Sequence, residues 1–534
     1  MIEKKLILKK FFICAILIII FLLFSIPTLP KYTHTAFDSG VFLYSGQQLL
    51  NGKIMYKDFY EVKPPVIFLI NAVGLSFDIG RLGVWLLEFI LLAIAILYFF
   101  NSIFKIGKLW PAFLTSLILV ILLRTPEILS YGNLSEVYST GFIILLLTFS
   151  INNFPSDKNY KWIIAGILSS VIFLTKQSTI SMIIAVFFVL VVRLIIEKNK
   201  KNVLLKIIFF IVGIIISILS LLAILLSFGI LKDFLDCVFK YTLAYASNSA
   251  IGFLSTIKIM IVSIFVNYNL GNLLIISIIS AILFLTIKNV NIRENSSLKN
   301  LSILVLFGLP IELILIASPG KFFNHYFYPM IPYLAIGFFI FIFFIFENFV
   351  QKRTNFQKLL IVILIFFFTG MQFSLYAVAK EYKKLINFNR SEFLHANYNQ
   401  YKNDEDKTAL FLKDLSKDKS IFFWGGEPKY YFLTGKTSAV KFVPLFPIFN
   451  EKYFTENNFM EFFNKFKNNL PELIFDASYD YNEIPPLNRN DRNNSPLNTN
   501  SKILEPFYKF IEQNYKVKDL NVPLHDKWVV YSLK

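Results

Sequence analysis

The sequence predicts an all-α, polytopic transmembrane bundle of about 11 spans, with interfacial helices in the first outside loop and a C-terminal α/β extracytoplasmic domain. Three observations predict it. Of 534 residues, 56% are hydrophobic and 16% charged, and the mean hydropathy is +0.59, so no water-soluble globule could bury this much apolar side chain. The formal charge of +18 is spread in short Lys/Arg clusters between apolar runs, a pattern of membrane-topology signals and not of a nucleic-acid surface. From Lys380 onward the composition turns to Lys, Asn, Asp, Glu and Pro. The chain therefore divides into a transmembrane part, 1–384, and a tail, 385–534.

Apolar runs of spanning character fall at 11–29, 80–100, 110–123, 135–151, 161–175, 178–196, 206–228, 269–287, 300–317, 324–346 and 358–378. The first follows a basic stretch but lacks a small-x-small cleavage site before Pro27, so it reads as an uncleaved first helix. The run 66–77 is too short to span and reads as interfacial. With a cytoplasmic amino terminus, every second loop is basic: Lys4, Lys5, Lys9 and Lys10, then Lys105 and Lys108, Lys158 and Lys161, Lys198, Lys200 and Lys201, Lys288, Arg293 and Lys299, and Lys352, Arg353 and Lys358. An odd span count then leaves the carboxyl terminus extracytoplasmic, in a multi-pass protein of the cell membrane. The tail carries strand-like pieces at 420–424, 473–476 and 528–532, helical patterns at 458–467 and 503–515, and an Asn/Pro/Asp-rich loop at 482–500. Only Cys14 and Cys237 are present, so neither a disulfide framework nor a cysteine metal site is available.

The most informative stretch is the first outside loop, F-D-S-G-V-F-L-Y-S-G-Q-Q-L-L-N-G-K-I-M-Y-K-D-F-Y-E-V-K-P-P at 37–65. Asp38 follows the first span by about ten residues, which places it near the membrane surface. Residues 40–50 suit an interfacial helix ended by Asn51-Gly52. Pro64-Pro65 cannot continue a helix and hold Lys63 in an extended turn.

An aspartate after the first transmembrane helix, an interfacial helix, a glycine and then Lys-Pro-Pro resembles the GT-C membrane glycosyltransferases. It is closest in style to the aminoarabinose transferases and the bacterial relatives of the protein O-mannosyltransferases. Lesser echoes are Y-G-N-L-S-E (131–136), T-K-Q-S (175–178), N-H-Y-F-Y-P (324–329) and W-G-G-E-P-K-Y-Y-F-L-T-G-K (424–436). The resemblance implies transfer of a sugar from a polyprenyl-phosphate donor to a hydroxyl acceptor on a lipid, glycan or protein, at the bilayer and without nucleic acid. A hydroxyl nucleophile needs a carboxylate to accept its proton, and Asp38 is the candidate. The departing lipid phosphate needs cations; Lys63 comes first, with Arg124, Lys176, Lys321 and His325 as helpers, all at outside ends of spans in this topology. Many relatives carry a second acid after the aspartate and one before Lys-Pro-Pro. This chain has Ser39 and Val62 there. Asp58, Glu61 and Glu136 stand as supporting acids, and a divalent metal is left open.

Other readings attach to the same residues. Arg124 and Lys176 also read as helix-end charges, and His325 as a histidine bonded to backbone. A transporter or flippase of lipid-linked sugar would place ionisable groups at span centres, where only Glu88 and Glu312 stand out. A polysaccharide ligase or polymerase would place its chemistry in a late outside loop. The tail, whose acids show no paired base in sequence, is expected to shape acceptor access and not to perform catalysis.

Overall fold

A computed structural model describes residues 2–247, 252–286, 296–350, 354–394, 404–417, 419–481, 483–493, 501–523 and 525–534. The basic loop residues Lys288, Arg293, Lys352 and Arg353 lie outside them. Two compact units divide the chain. One contains Met1–Thr33, Trp85–Ala223 and Ser249–Asn387; the other contains His34–Val84, Ile224–Asn248 and Phe388–Lys534.

The chain is a multi-pass membrane protein. Among the described residues, six helices are long and apolar enough to cross a membrane: Ile7–Thr28, Arg81–Ile106, Ser135–Asn153, Lys200–Ser227, Ser296–Ala317 and Asn324–Val350. A pair bent by 106°, Phe253–Asn267 with Gly271–Thr286, raises the number to seven if it is one span. The other expected runs are helical but short. Leu109–Leu123, Asn159–Thr175 and Ser181–Ile196 have 10–17 residues, and at about 1.5 Å per residue they fall short of a hydrocarbon layer roughly 30 Å thick. Charge sets two of these ends, since the helices stop at Arg124 and Lys176. The run 358–378 is interrupted at Gly370, whose φ of +79° separates Asn355–Phe368 from Met371–Leu394.

In this first unit, glycines permit close crossings. A Cβ on Gly166 would lie 2.1 Å from the Phe210 carbonyl, and one on Gly213 would lie 2.2 Å from that of Ile163, the small-residue contact that packs helices where lipid supplies no hydrophobic drive. Hydroxyls satisfy themselves on backbone: Ser169 donates to Ala165 O at 2.8 Å, and Ser280 reaches across to Gly337 O at 2.9 Å.

The second unit joins distant stretches of sequence. Its sheet comprises β1 (Ile421–Trp424), β2 (Leu473–Asp476), β3 (Tyr515–Lys518) and β4 (Val529–Leu533) in the order β1-β2-β4-β3. β1 and β2 are parallel, with Ile421 opposite Leu473, and the other pairs are antiparallel. Trp424 stacks on Phe507 at 5.0 Å between the sheet and the helix Ser501–Asn514. Three strands lie where the sequence places them. β3 is the exception, since Tyr-Lys-Val-Lys buries only Tyr515, exposes Lys516 and Val517, and in sequence reads as the end of the preceding helix. Within the expected 482–500 loop, Arg489–Asn493 forms a short helix, while 482 and 494–500 lie outside the described residues.

The helix expected at 40–50 runs from Phe37 to Leu50 and is mostly buried. Gly46 brings it against Val66–Leu75, where a Cβ would lie 2.8 Å from Ala72 N, and Gly40 brings it against Lys429, where a Cβ would lie 2.9 Å from the lysine Cβ. Phe37 packs edge-on to Phe446 at 5.7 Å, and Ser438 N–H donates to Tyr44 Oη at 3.1 Å. The third stretch is tied in by Tyr453, which donates to Asp236, and by Lys452, which donates to Ser247 O at 2.8 Å.

Candidate functional site

In the second unit, Asp38 occupies the first turn of the helix Phe37–Leu50, where the unpaired amides favour a negative charge. Lys63 sits in irregular backbone before the helix Val66–Leu75. Between them in sequence, Glu61 is buried, and its Oε1 accepts from the amides of Val62 at 2.8 Å and Lys63 at 3.2 Å. Tyr56, held at a left-handed φ of 66°, donates its hydroxyl to the Lys63 carbonyl at 2.9 Å. Burial pushes the Glu61 carboxyl up to about 7; the Lys63 cation and the two amides oppose the rise, and the Asp38 charge adds to it. Asp38, Glu61 and Lys63 thus form one electrostatic group. Asp58 stands aside from it on exposed backbone, closing a turn by accepting from Ile54 N–H at 2.7 Å.

Two tyrosines from the 224–248 stretch join this group, and sequence reasoning missed both. Burial pushes Tyr245 up to about 12, with Glu483 and Asp38 adding, and Tyr241 is raised by burial, Tyr245, Glu483 and Glu61. The tail contributes Glu427, buried, whose Oε1 accepts from Tyr481 at 2.6 Å and whose Oε2 lies 3.9 Å from Lys429 Nζ. The only sequence signals were the length of the 229–268 loop and the W-G-G-E-P segment.

In the first unit, Glu136, Lys176 and His325 come together as one buried cluster. Lys176 Nζ bonds Glu136 Oε1 and lies 4.3 Å from the Tyr326 ring. His325 Nε2 is 3.4 Å from the same carboxylate oxygen, and the Ser135 hydroxyl donates to the other at 2.9 Å. Lys321 lies on the loop before Asn324–Met330, partly buried. Arg124 belongs to a different pair. It is 1% exposed, bonds Glu88 Oε1 through Nη1 at 2.8 Å and stacks 4.7 Å from Phe21. Glu88 Oε2 in turn accepts from Asn133 N–H at 2.7 Å. That amide is delivered by four consecutive left-handed residues, Ser130, Tyr131, Gly132 and Asn133. Glu312 bonds Ser181, whose hydroxyl is 2.8 Å from Tyr333 Oη, deep in the same unit.

Glu61 Oε1 is committed to two amides and Asp58 Oδ2 to a third. Among the described residues no three His, Cys, Asp or Glu side chains gather closely enough to hold an ion.

The chain superposes on ArnT from Cupriavidus metallidurans bound to undecaprenyl phosphate, over 97% of each chain, with a TM-score of 0.58 at 12% identity. The archaeal oligosaccharyltransferase AglB from Archaeoglobus fulgidus, in complex with an inhibitory peptide and a dolichol-phosphate, overlaps 88% of this chain and 69% of that one at 0.48 and 11% identity. The apo form of the Archaeoglobus fulgidus oligosaccharyltransferase overlaps 87% and 69% at 0.46 and 11%. The last two overlaps are too loose to build on. The end-to-end match to ArnT, at 12% identity, shows a shared fold. No protein-family model and no curated protein sequence matches the chain.

Proposed function

We propose that the protein is a membrane glycosyltransferase that passes a sugar from a polyprenyl-phosphate donor to a hydroxyl acceptor on the extracytoplasmic face, with Asp38 as general base. The observation that carries this reading is one loop that places Asp38 in the first turn of its helix and fixes the Lys63 backbone through Glu61 and Tyr56, on a fold shared with a protein solved bound to undecaprenyl phosphate. The acceptor hydroxyl gives its proton to the Asp38 carboxylate, and its oxygen forms the new bond to the anomeric carbon. The bond from that carbon to the phosphate oxygen breaks, and the electron pair leaves with the polyprenyl phosphate. Lys63 neutralises the charge that develops there. Lys176, Lys321 and His325 are further donor cations, as is Arg124, whose Nε and Nη2 have no acceptor among the described residues. Glu136 and Asp58 act as supporting acids. The tail, with Glu427 and Tyr481, shapes acceptor access.

Asp38→Asn keeps shape and most hydrogen bonding but accepts no proton, so transfer falls by roughly 10²–10⁴-fold while donor binding holds. The measurement is transfer from a labelled polyprenyl-phosphate sugar to a cell-derived acceptor mixture by purified protein. Undiminished transfer by the variant excludes Asp38 as the base. Movement of the lipid between leaflets without transfer favours a flippase, the reading that the buried Glu312–Ser181–Tyr333 contact supports.

A further inference from the structure

Lys63 sits where the backbone belongs to no helix or strand, and Pro64 has no N–H with which to fasten the turn. Both polar groups of the Lys63 backbone are nonetheless taken by side chains: the N–H by Glu61 Oε1 and the C=O by the Tyr56 hydroxyl. Backbone groups that secondary structure does not satisfy must find other partners. Here the partners are two of the most deeply buried polar side chains in the loop, Glu61 at 5% and Tyr56 at 1% exposure. Glu61 is itself held, since the Cys237 sulfur lies against its amide and Val62 N–H bonds the same Oε1. Burying a carboxylate is unfavourable. A solvated Ser or Asn could cap a turn of this kind without that penalty.

We infer that Glu61 is a positioning residue, which together with Tyr56 clamps the Lys63 backbone so that the ammonium is presented to the donor phosphate in one orientation. The inference rests on the reading of Lys63 as a phosphate cation. It assigns Glu61 to geometry and not to metal binding or proton transfer. The carboxylate acts as an acceptor fork for two neighbouring amides, and a side-chain amide oxygen can replace it. The remaining charged and titratable groups around it, Asp38, Lys63, Tyr56, Cys237 and Tyr241, tune its charge without forming the fork.

The test is a double-mutant cycle on the full-length protein in detergent or nanodiscs, with kcat and donor KM read for each variant alongside its melting temperature. Glu61→Gln should transfer within a few-fold of wild type, because the amide oxygen still accepts from both N–H groups. Glu61→Ala should lose roughly ten- to a hundredfold in kcat/KM for the donor, and Lys63→Ala a comparable amount. In the Lys63→Ala background, adding Glu61→Ala should change nothing further, since a clamp has no effect once its cargo is gone. If Glu61→Ala fails to fold, Tyr56→Phe, which removes only the hydroxyl on the Lys63 carbonyl, takes its place in the same cycle. Additive losses, or a Glu61→Gln as impaired as Glu61→Ala, overturn the clamp while leaving Lys63 as a donor cation. A Lys63→Ala protein that transfers at the wild-type rate instead overturns the phosphate role of Lys63, and the clamp with it.

Discussion

Arg124 and Lys176 show how differently two buried cations at helix ends can be held. Lys176 shares one carboxylate, Glu136, with His325, so its charge sits among groups that can exchange partners. Arg124 is enclosed, with one carboxylate, one aromatic face and 1% of its surface exposed. Removing one member of a buried pair leaves the other charge uncompensated, at about 3–5 kcal/mol. Arg124→Met should therefore lower the melting temperature of the detergent-solubilised protein sharply. Arg124→Met with Glu88→Gln should recover most of the loss, since Gln still accepts from Asn133 N–H. If Arg124→Met melts like wild type and fails only in donor use, the cation serves the donor alone and is not also a brace. Both arginine and lysine were legible in the sequence as helix-end charges. Their partners were not, because Glu88 and Glu136 are 36 and 40 residues away, and nothing local marks which acid a cation will meet.

Among the elements, β2 carries a buried carboxyl whose proton couples stability to pH. Asp476 at its end is buried, accepting from the Ser478 hydroxyl at 2.6 Å and from Leu487 N–H at 2.7 Å. Burial pushes its carboxyl from 3.8 up to about 6 against the pull of those bonds. The folded state thus keeps a proton that the unfolded chain gives up near pH 4, and stability falls as pH rises from about 4 through about 6. Glu61, raised to about 7, extends the same trend upward. The expected result is a melting temperature higher at pH 5 than at pH 7.5, and an Asp476→Asn variant with a flatter profile. A wild-type protein that gains stability over that interval would contradict the assignment. The strands themselves were readable because Ile421–Trp424 and the first three residues of Leu473–Asp476 are apolar runs between polar segments. The short apolar helices were not separable from full spans by composition, since hydropathy measures what a helix is made of better than how far it reaches.

At the level of the whole molecule, the alternation of basic loops in the sequence predicts a cytoplasmic amino terminus and an extracytoplasmic tail. A reporter fused after Lys534 should read extracytoplasmic in cells, and a cytoplasmic signal would undo both the topology and the placement of Asp38. The multi-pass helical character and the helix that ends at Asn51-Gly52 were legible because apolar runs and turn residues act locally. The membership of the second unit was not, because its stretches are separated by spans that give no hint of which loops will pack together.

That membership has a consequence for how the protein is made. Residues 34–84 are translated about three hundred residues ahead of 388–534, the stretch they fold against. At roughly 5–20 residues per second the Asp38 loop waits on the order of 15–60 s for its partner. Through that interval Gly40 and Phe37 have no Lys429 or Phe446 to pack on. A chain cut short of the tail is thus left without the contacts that hold the helix Phe37–Leu50 in this unit.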